Sequence, residues 1–430
     1  MFVIAGRRLF RRLTSRGMGY WAMAVVILVA ATWAKPFIDG KLDLESERSW
    51  LFQRFGQTAS NPAAAGNARL VLIRDDEYWT GPLHHRAPID RAYLAALVRA
   101  LDRADAAVIA IDFDLRAPVP QQPLRPGDYA LVDDYPPYRA ETDTLAKAID
   151  EVAERRKIIL AKTIAGPLNG PFSLQSDVYQ PYGLCDHLVG DGVWSNPGTP
   201  EYPLEGDAAR NISCGYIALM DDPRQVPPPA RIGGSRWRLD AFSAAIARAR
   251  GVTLPAGAGP SYATYIEGDL ENDPRITVSA RDLLADPDRK RAVLAGWPVI
   301  IGAAWSQRGF ASGPLVDLHR TPIGLVGGAL IHDNLAEALL RGRTFPGLSD
   351  GQLAFFELAI GAVAAILFAL VETLWTRIVL VLLAMGVLLF FQWAILGLFG
   401  FFFDAFAPVL AMGLHAIGDR LVGSHRGPVD

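Results

Sequence analysis

Two apolar runs in this chain end in carboxylates. LVLIRDD (residues 70–76) closes on Asp75 and Asp76, and VIAIDFDL (residues 108–115) carries Asp112 and Asp114. Carboxylates placed this way can hold a cation, share a proton, read a polar ligand, or only cap the turns that follow. Other residue types with chemical potential are His84-His85 and His332-Asp333. Neither lies in an H-E-x-x-H spacing, no G-x-S-x-G elbow is present, and no phosphate-cradling G-x-x-x-x-G-K-[ST] loop occurs. We therefore expect a protein that is not an enzyme and takes no metal or cofactor. A periplasmic hydrolase or metal enzyme ranks below every other reading.

Such acids need a frame. Between the two runs, Asp90 can cap a helix on which Tyr93, Leu94, Leu97, Val98 and Leu101 recur at helical spacing. Strand, helix and strand of this length make a βαβ unit, so the two strands are expected to be parallel neighbours. Their carboxyl ends then share one edge, where open parallel sheets bind ligands. Asp75, Asp76, Asp112 and Asp114, with Arg91 at the helix start, form an expected acidic rim, either ligand-binding or structural. Strand alternation puts Asp112 and Asp114 on one face, and Asp112 facing Arg91 would make a buried pair whose loss destabilises the domain.

The pattern continues along the chain. Residues 143–156 read as a helix, KIILAK (157–162) as a buried strand, and WPVIIGAA (297–304) as another. Residues 280–294 read as a helix split by Pro287, and 328–340 as a helix ending at Gly342. The fold class is α/β, a mostly parallel sheet covered by helices. Residues 118–137 and 166–235 are long loops rich in Pro, Gly, Asp and Tyr, of a length that usually serves function.

Arg7, Arg8, Arg11, Arg12 and Arg16 precede an apolar run, and no acid occurs before Asp39. We read residues 1–17 as a cytoplasmic basic segment and 18–38 as an uncleaved transmembrane helix, a cleavable signal peptide being the rival. Three more transmembrane helices are expected at 353–374, 378–398 and 401–418. A cytoplasmic tail of residues 419–430 follows, and residues 39–352 are exported. Four crossings put Arg377, Arg420 and Arg426 on the same side as the N-terminal arginines. Gln392, well inside its helix, is a candidate helix–helix contact. In the exported part lie the only two cysteines, Cys185 and Cys214, which form either one disulfide or two buried thiols. The net charge of −3 is too small to argue for nucleic acid as partner.

From residue 65 to about 345 the order of motifs resembles the second type of CHASE domain (cyclase- and histidine-kinase-associated sensory extracellular). Pro88, Arg91, Asp112 and Asp143 with Leu145-Ala146 stand at the family's positions in the first half. Asp317, Thr321, Pro322, Gly328, His332 and Asn334 match its closing motif, and the layout of one helix before and three after is the family's own. Arg74, Gly327-Gly328-Ala329 and Asp333 depart from the pattern. The resemblance implies a sensory domain, and no fused effector is expected after the last helix. The reading is a bacterial inner-membrane, multi-pass protein with a large periplasmic domain and both termini cytoplasmic. It acts as a sensor or regulatory subunit that relays a signal to a separate effector. The alternative is a structural or assembly subunit of an envelope or secretion complex. Partners implied are the bilayer and the effector, with a homo-oligomer left open.

Overall fold

The computed structural model describes residues 22, 25–26, 52–55, 68–86, 89–113, 115, 136–163, 175–176, 184–189, 211–220, 222–232, 238–254, 261–266, 268–306, 317–370 and 373–399. Pro88, Asp114, the segment 401–418 and nearly all of 18–38 lie outside them. The chain divides into one unit of residues 61–344 and a second made of 1–60 and 345–430.

The first unit is built on a six-stranded parallel sheet. Its strands are β1 (Arg69–Ile73), β2 (Val108–Ile111), β3 (Lys157–Lys162), β4 (Ile212–Tyr216), β5 (Thr277–Ser279) and β6 (Pro298–Ala303). In space they run β5-β1-β6-β2-β3-β4, every pairing parallel. The sequence makes β1 and β2 neighbours, and the structure corrects this. β6 lies between them, pairing Leu70 with Ile300 on one side and Ile109 with Val299 on the other. A strand buried on both faces needs apolar side chains throughout. PVIIGA meets that need from a position some two hundred residues later.

Helices cover both faces. Val71, Ile73, Ile109, Ile111, Ile158 and Leu160 pack with Leu94, Leu97 and Leu101 of α1 (Arg91–Arg103) and with Leu145 and Ile149 of α2 (Pro136–Ala153). The alternate residues Leu70, Leu72, Val108, Ala110 and Ile159 pack on the other face. Their partners are Phe242 and Ile246 of α3 (Phe242–Ala249), and Ala329 and Ala336 of a helix late in the chain. Asp90 caps α1 by accepting from the amides of Ala92 and Tyr93. The expected break at Pro287 is present: α4 (Ala280–Ala285) ends at Asp286, which caps α5 (Pro287–Leu294) with proline in its first turn. After β6 comes a hairpin of β7 (Leu318–Thr321) and β8 (Gly324–Gly327), then α6 (Gly328–Leu340), whose end is turned by Gly342 at φ 64°. Cys185, on a short helix, is bonded to Cys214 of β4, with Cα atoms 6.0 Å apart. Closing that loop stabilises the unit by about 3 kcal/mol in the chain-entropy account.

In the second unit, α7 (Asp350–Ala369) and α8 (Leu374–Phe399) are apolar on all sides. Among the described residues one helix is long and apolar enough to cross a membrane, Ile378–Leu396, with mean hydropathy 2.6. The apolar part of α7, Gly351–Leu367, is shorter. Gln392 is buried, at 7% exposure, on a helix that otherwise exposes Leu382, Phe390 and Phe391.

Candidate functional site

The carboxyl edge of the sheet collects the residues singled out by type, and the strand order sorts them into two groups. Parity decides the first. Asp112 continues the Val108, Ala110 series, so it faces α3 and α6, whereas Arg91 begins α1 on the opposite face. The expected Asp112–Arg91 pair is therefore absent. Arg91 is buried and donates from Nη1 to Thr142 Oγ1 at 2.8 Å. Asp112 instead has His332 of α6 as neighbour, Nε2 to Oδ1 at 3.9 Å, too long for a hydrogen bond.

Three further features shape this group. The Asp112 amide donates to the Ile301 carbonyl at 2.9 Å, which fixes the residue beside Gly302. Any Cβ on Gly302 would lie 2.3 Å from that of Ala329, so glycine lets α6 sit directly on β6. Asp317, at φ 55° just before β7, lays its carboxylate over the start of α6: a Cβ on Gly328 would lie 2.0 Å from Asp317 Oδ2. The Asp317 carbonyl also accepts from the Gly328 amide at 3.0 Å. His319, in β7 two residues on, meets Asp317 Oδ1 at 2.8 Å.

The electrostatics follow from burial. The Asp112 carboxyl is pushed up to about 7, first by desolvation and then by the Asp317 charge. Desolvation pushes the His332 imidazole down to about 4, against an opposite pull from Asp317. Near neutral pH this places a neutral histidine beside a carboxyl that readily holds its proton. His319 is raised by its bond to Asp317. The pair at its centre can exchange a proton or accept a polar ligand, because Asp112 and His332 stand 3.9 Å apart without a hydrogen bond between them, while Asp317 is already engaged by His319.

The remaining closing-motif residues act as supports. Thr321 Oγ1 donates to the Gly324 carbonyl and accepts from the Ile323 amide, closing the hairpin around Pro322. Asn334 accepts from the Ile266 amide at 2.8 Å and donates to the Leu330 carbonyl. Asp143 is exposed on α2.

The second group lies at the exit of β1. Asp75 Oδ1 accepts from the Ser306 amide at 2.6 Å, and Asp76 pairs with Arg281 at 3.3 Å. Asp75 and Asp76 are thus two strand positions from Asp112, roughly 10 Å at ordinary strand spacing. Trp305 stacks on Tyr78 and Phe113 between them. His84 and His85 are exposed, and no metal-binding cluster of His, Cys, Asp or Glu occurs among the described residues.

A feature that sequence reasoning missed lies at the far end of α6. Glu337 accepts the Ala68 amide at 2.9 Å and pairs with Arg341, while buried Asp333 stands one turn before it. The i, i+4 spacing of Glu337 and Arg341 is visible in the sequence. Its use as an anchor for the start of β1 is not.

A family model described as CHASE2 domain matches residues 22–388. The chain belongs to the CHASE2 domain family. In this CHASE2 chain the match takes in the sheet unit and extends through α7 into α8. Asp112, Asp317, Gly328 and His332, assigned by resemblance to motifs far apart in sequence, come together at one sheet edge. CHASE2 domains are sensory extracellular modules, which fits the lack of a recognisable catalytic motif. No curated protein and no solved structure matches the chain.

Proposed function

We propose that this CHASE2 protein is a membrane-anchored extracytoplasmic sensor subunit that relays its state through its membrane helices to a separate effector. The observation that carries this reading is the span of α6. Its first turns hold Gly328 against Asp317 and His332 near Asp112. Its last turns hold Glu337 on the Ala68 amide. One helix therefore connects the Asp112–Asp317–His332 site with the start of β1, where the chain enters the sheet. It also ends only a few residues before Thr344, the last residue of this unit. A change of charge or ligand at the site would bias α6 and with it both chain connections, as a two-state relay requires. In the proposed topology residues 39–352 are periplasmic, the four helices at 18–38, 353–374, 378–398 and 401–418 cross the inner membrane, and both termini are cytoplasmic.

A chimera tests the sensor reading. With a diguanylate cyclase output module fused after Arg420, cyclic dinucleotide levels should shift between the parent and the Asp112→Asn and His332→Gln variants. Levels should also respond to external pH between about 5 and 8, the span around the Asp112 value of about 7. A flat output across variants and conditions would sink this reading in favour of an assembly subunit.

A further inference from the structure

A cleft of 420 Å³ opens at the carboxyl ends of β1 and β5, walled by the turn after β1, by α1 and by α4. Small-ligand sites begin at about 300 Å³, and this edge is where open parallel sheets bind them. The cleft floor is already satisfied. Glu77 accepts from the Arg74 amide at 2.8 Å and from the Tyr93 hydroxyl at 2.9 Å, and is sealed from solvent. The wall is fixed as well: a Cβ on Gly81 would lie 2.4 Å from the Asp76 carbonyl oxygen and 2.8 Å from Glu77 Cα, so the loop lies flat against the turn beneath it.

Polar capacity is left at the mouth. Asp76 and Arg281 meet through a single contact, Oδ2 to Nη1 at 3.3 Å, with side chains 53% and 72% exposed. An exposed pair of this kind exchanges readily and contributes little to folding. Most of the guanidinium fork stays available, and so does the second oxygen of Asp76. Beside the pair the lining turns apolar, with Leu284 and the Tyr93 ring.

We propose that this cleft binds a small zwitterion of the α-amino acid type, its ammonium on Asp76, its carboxylate on Arg281 and its side chain against Leu284 and Tyr93. An amino acid carries both charges on one carbon. Laid alongside the ion pair, it forms a ring of four alternating charges and leaves neither protein group unbalanced. A simple amine or a simple carboxylate engages one partner and forgoes the contact with the other, so the cleft favours the zwitterion over both. The opposite arrangement, two like charges at the mouth, would select a plain ion. The site is separate from the Asp112 group and stands without it.

Calorimetric titration of the full chain in nanodiscs tests this, with L-leucine, L-valine and L-methionine as probes. Isoamylamine and isocaproate serve as the amine-only and carboxylate-only controls. At least one amino acid should bind saturably, with both controls at least about tenfold weaker. Asp76→Asn and Arg281→Gln should each raise Kd by about tenfold or more, a loss of roughly 1.4 kcal/mol. Leu284→Trp, which fills the cleft, should abolish binding without lowering Tm. Lack of saturable binding by all three amino acids, equal binding of either control, or affinity unchanged in either charge variant would overturn the proposal. A chimera that responds while the amino acids fail to bind refutes the cleft alone. Binding with a silent chimera refutes the sensor reading and leaves the cleft standing.

Discussion

Burial and the Asp317 charge both favour the protonated form of Asp112, and this sets the sign of its effect on stability. Its value in the folded protein, about 7, lies above the ordinary 3.8. The folded state therefore holds a proton that the unfolded chain releases. The resulting stability is complete at low pH and is lost as pH rises from about 4 to about 7. Replacing Asp112 with Asn removes that loss. We expect Asp112→Asn to match the parent near pH 4 and to exceed it at pH 8 by about 2–4 kcal/mol, measured by denaturant melts across this range. His332 runs the other way: its contribution is present above its ordinary 6.5 and is lost as pH falls to about 4. Parent and variant share it, so their difference reports Asp112. A variant less stable than the parent at pH 8 would mean that the carboxylate has a cationic partner after all. The sequence reading, in which Asp112 faces Arg91, predicts the opposite outcome. Parity along β2 reverses it.

At the scale of elements, the start of α6 depends on a glycine for a reason that is not conformational. Gly328 leaves room for the Asp317 carboxylate, and any side chain there strikes it. Gly328→Ala should cost about 1–3 kcal/mol as overpacking. In an Asp317→Gly background the same substitution should become neutral or stabilising, because alanine is better than glycine in a helix by about 1 kcal/mol. Thermal melts of the two single variants and the double would show this change of sign, and additive losses would remove the contact from the account. Much at this scale is legible in the sequence. The cap at Asp90, the break at Pro287 and the turn at Gly342 are local and obey local rules. The hairpin residues Thr321 and Pro322 are legible only as a motif, because the turn they close, through Thr321 Oγ1 to the Gly324 carbonyl, leads into a helix whose docking is set by distant strands.

For the molecule as a whole, α8 is a helix of 26 residues whose apolar span, Ile378–Leu396, runs about 28 Å at 1.5 Å per residue, close to the roughly 30 Å of a bilayer core. In the proposed topology, alkaline phosphatase fused near Asp350 should be active, and a fluorescent protein fused after Arg420 should fluoresce. An exported C-terminus would overturn the four-crossing count and move the basic residues of the tail to the wrong side of the membrane.

The sequence by itself determined the fold class, the strands β1, β2, β3 and β6, the break between α4 and α5, and the family. Each of these rests on side chains close together in the chain: an unbroken apolar run, a cap, a proline, a motif. Only the tertiary structure decided the strand order, and with it which acids meet. Pairing between parallel strands is a choice among segments far apart in sequence, settled by which of them can be buried on both faces. By taking the place between β1 and β2, β6 moved Asp75 and Asp76 away from Asp112, joined Asp75 to Ser306, and left Asp112 to the helix that carries His332.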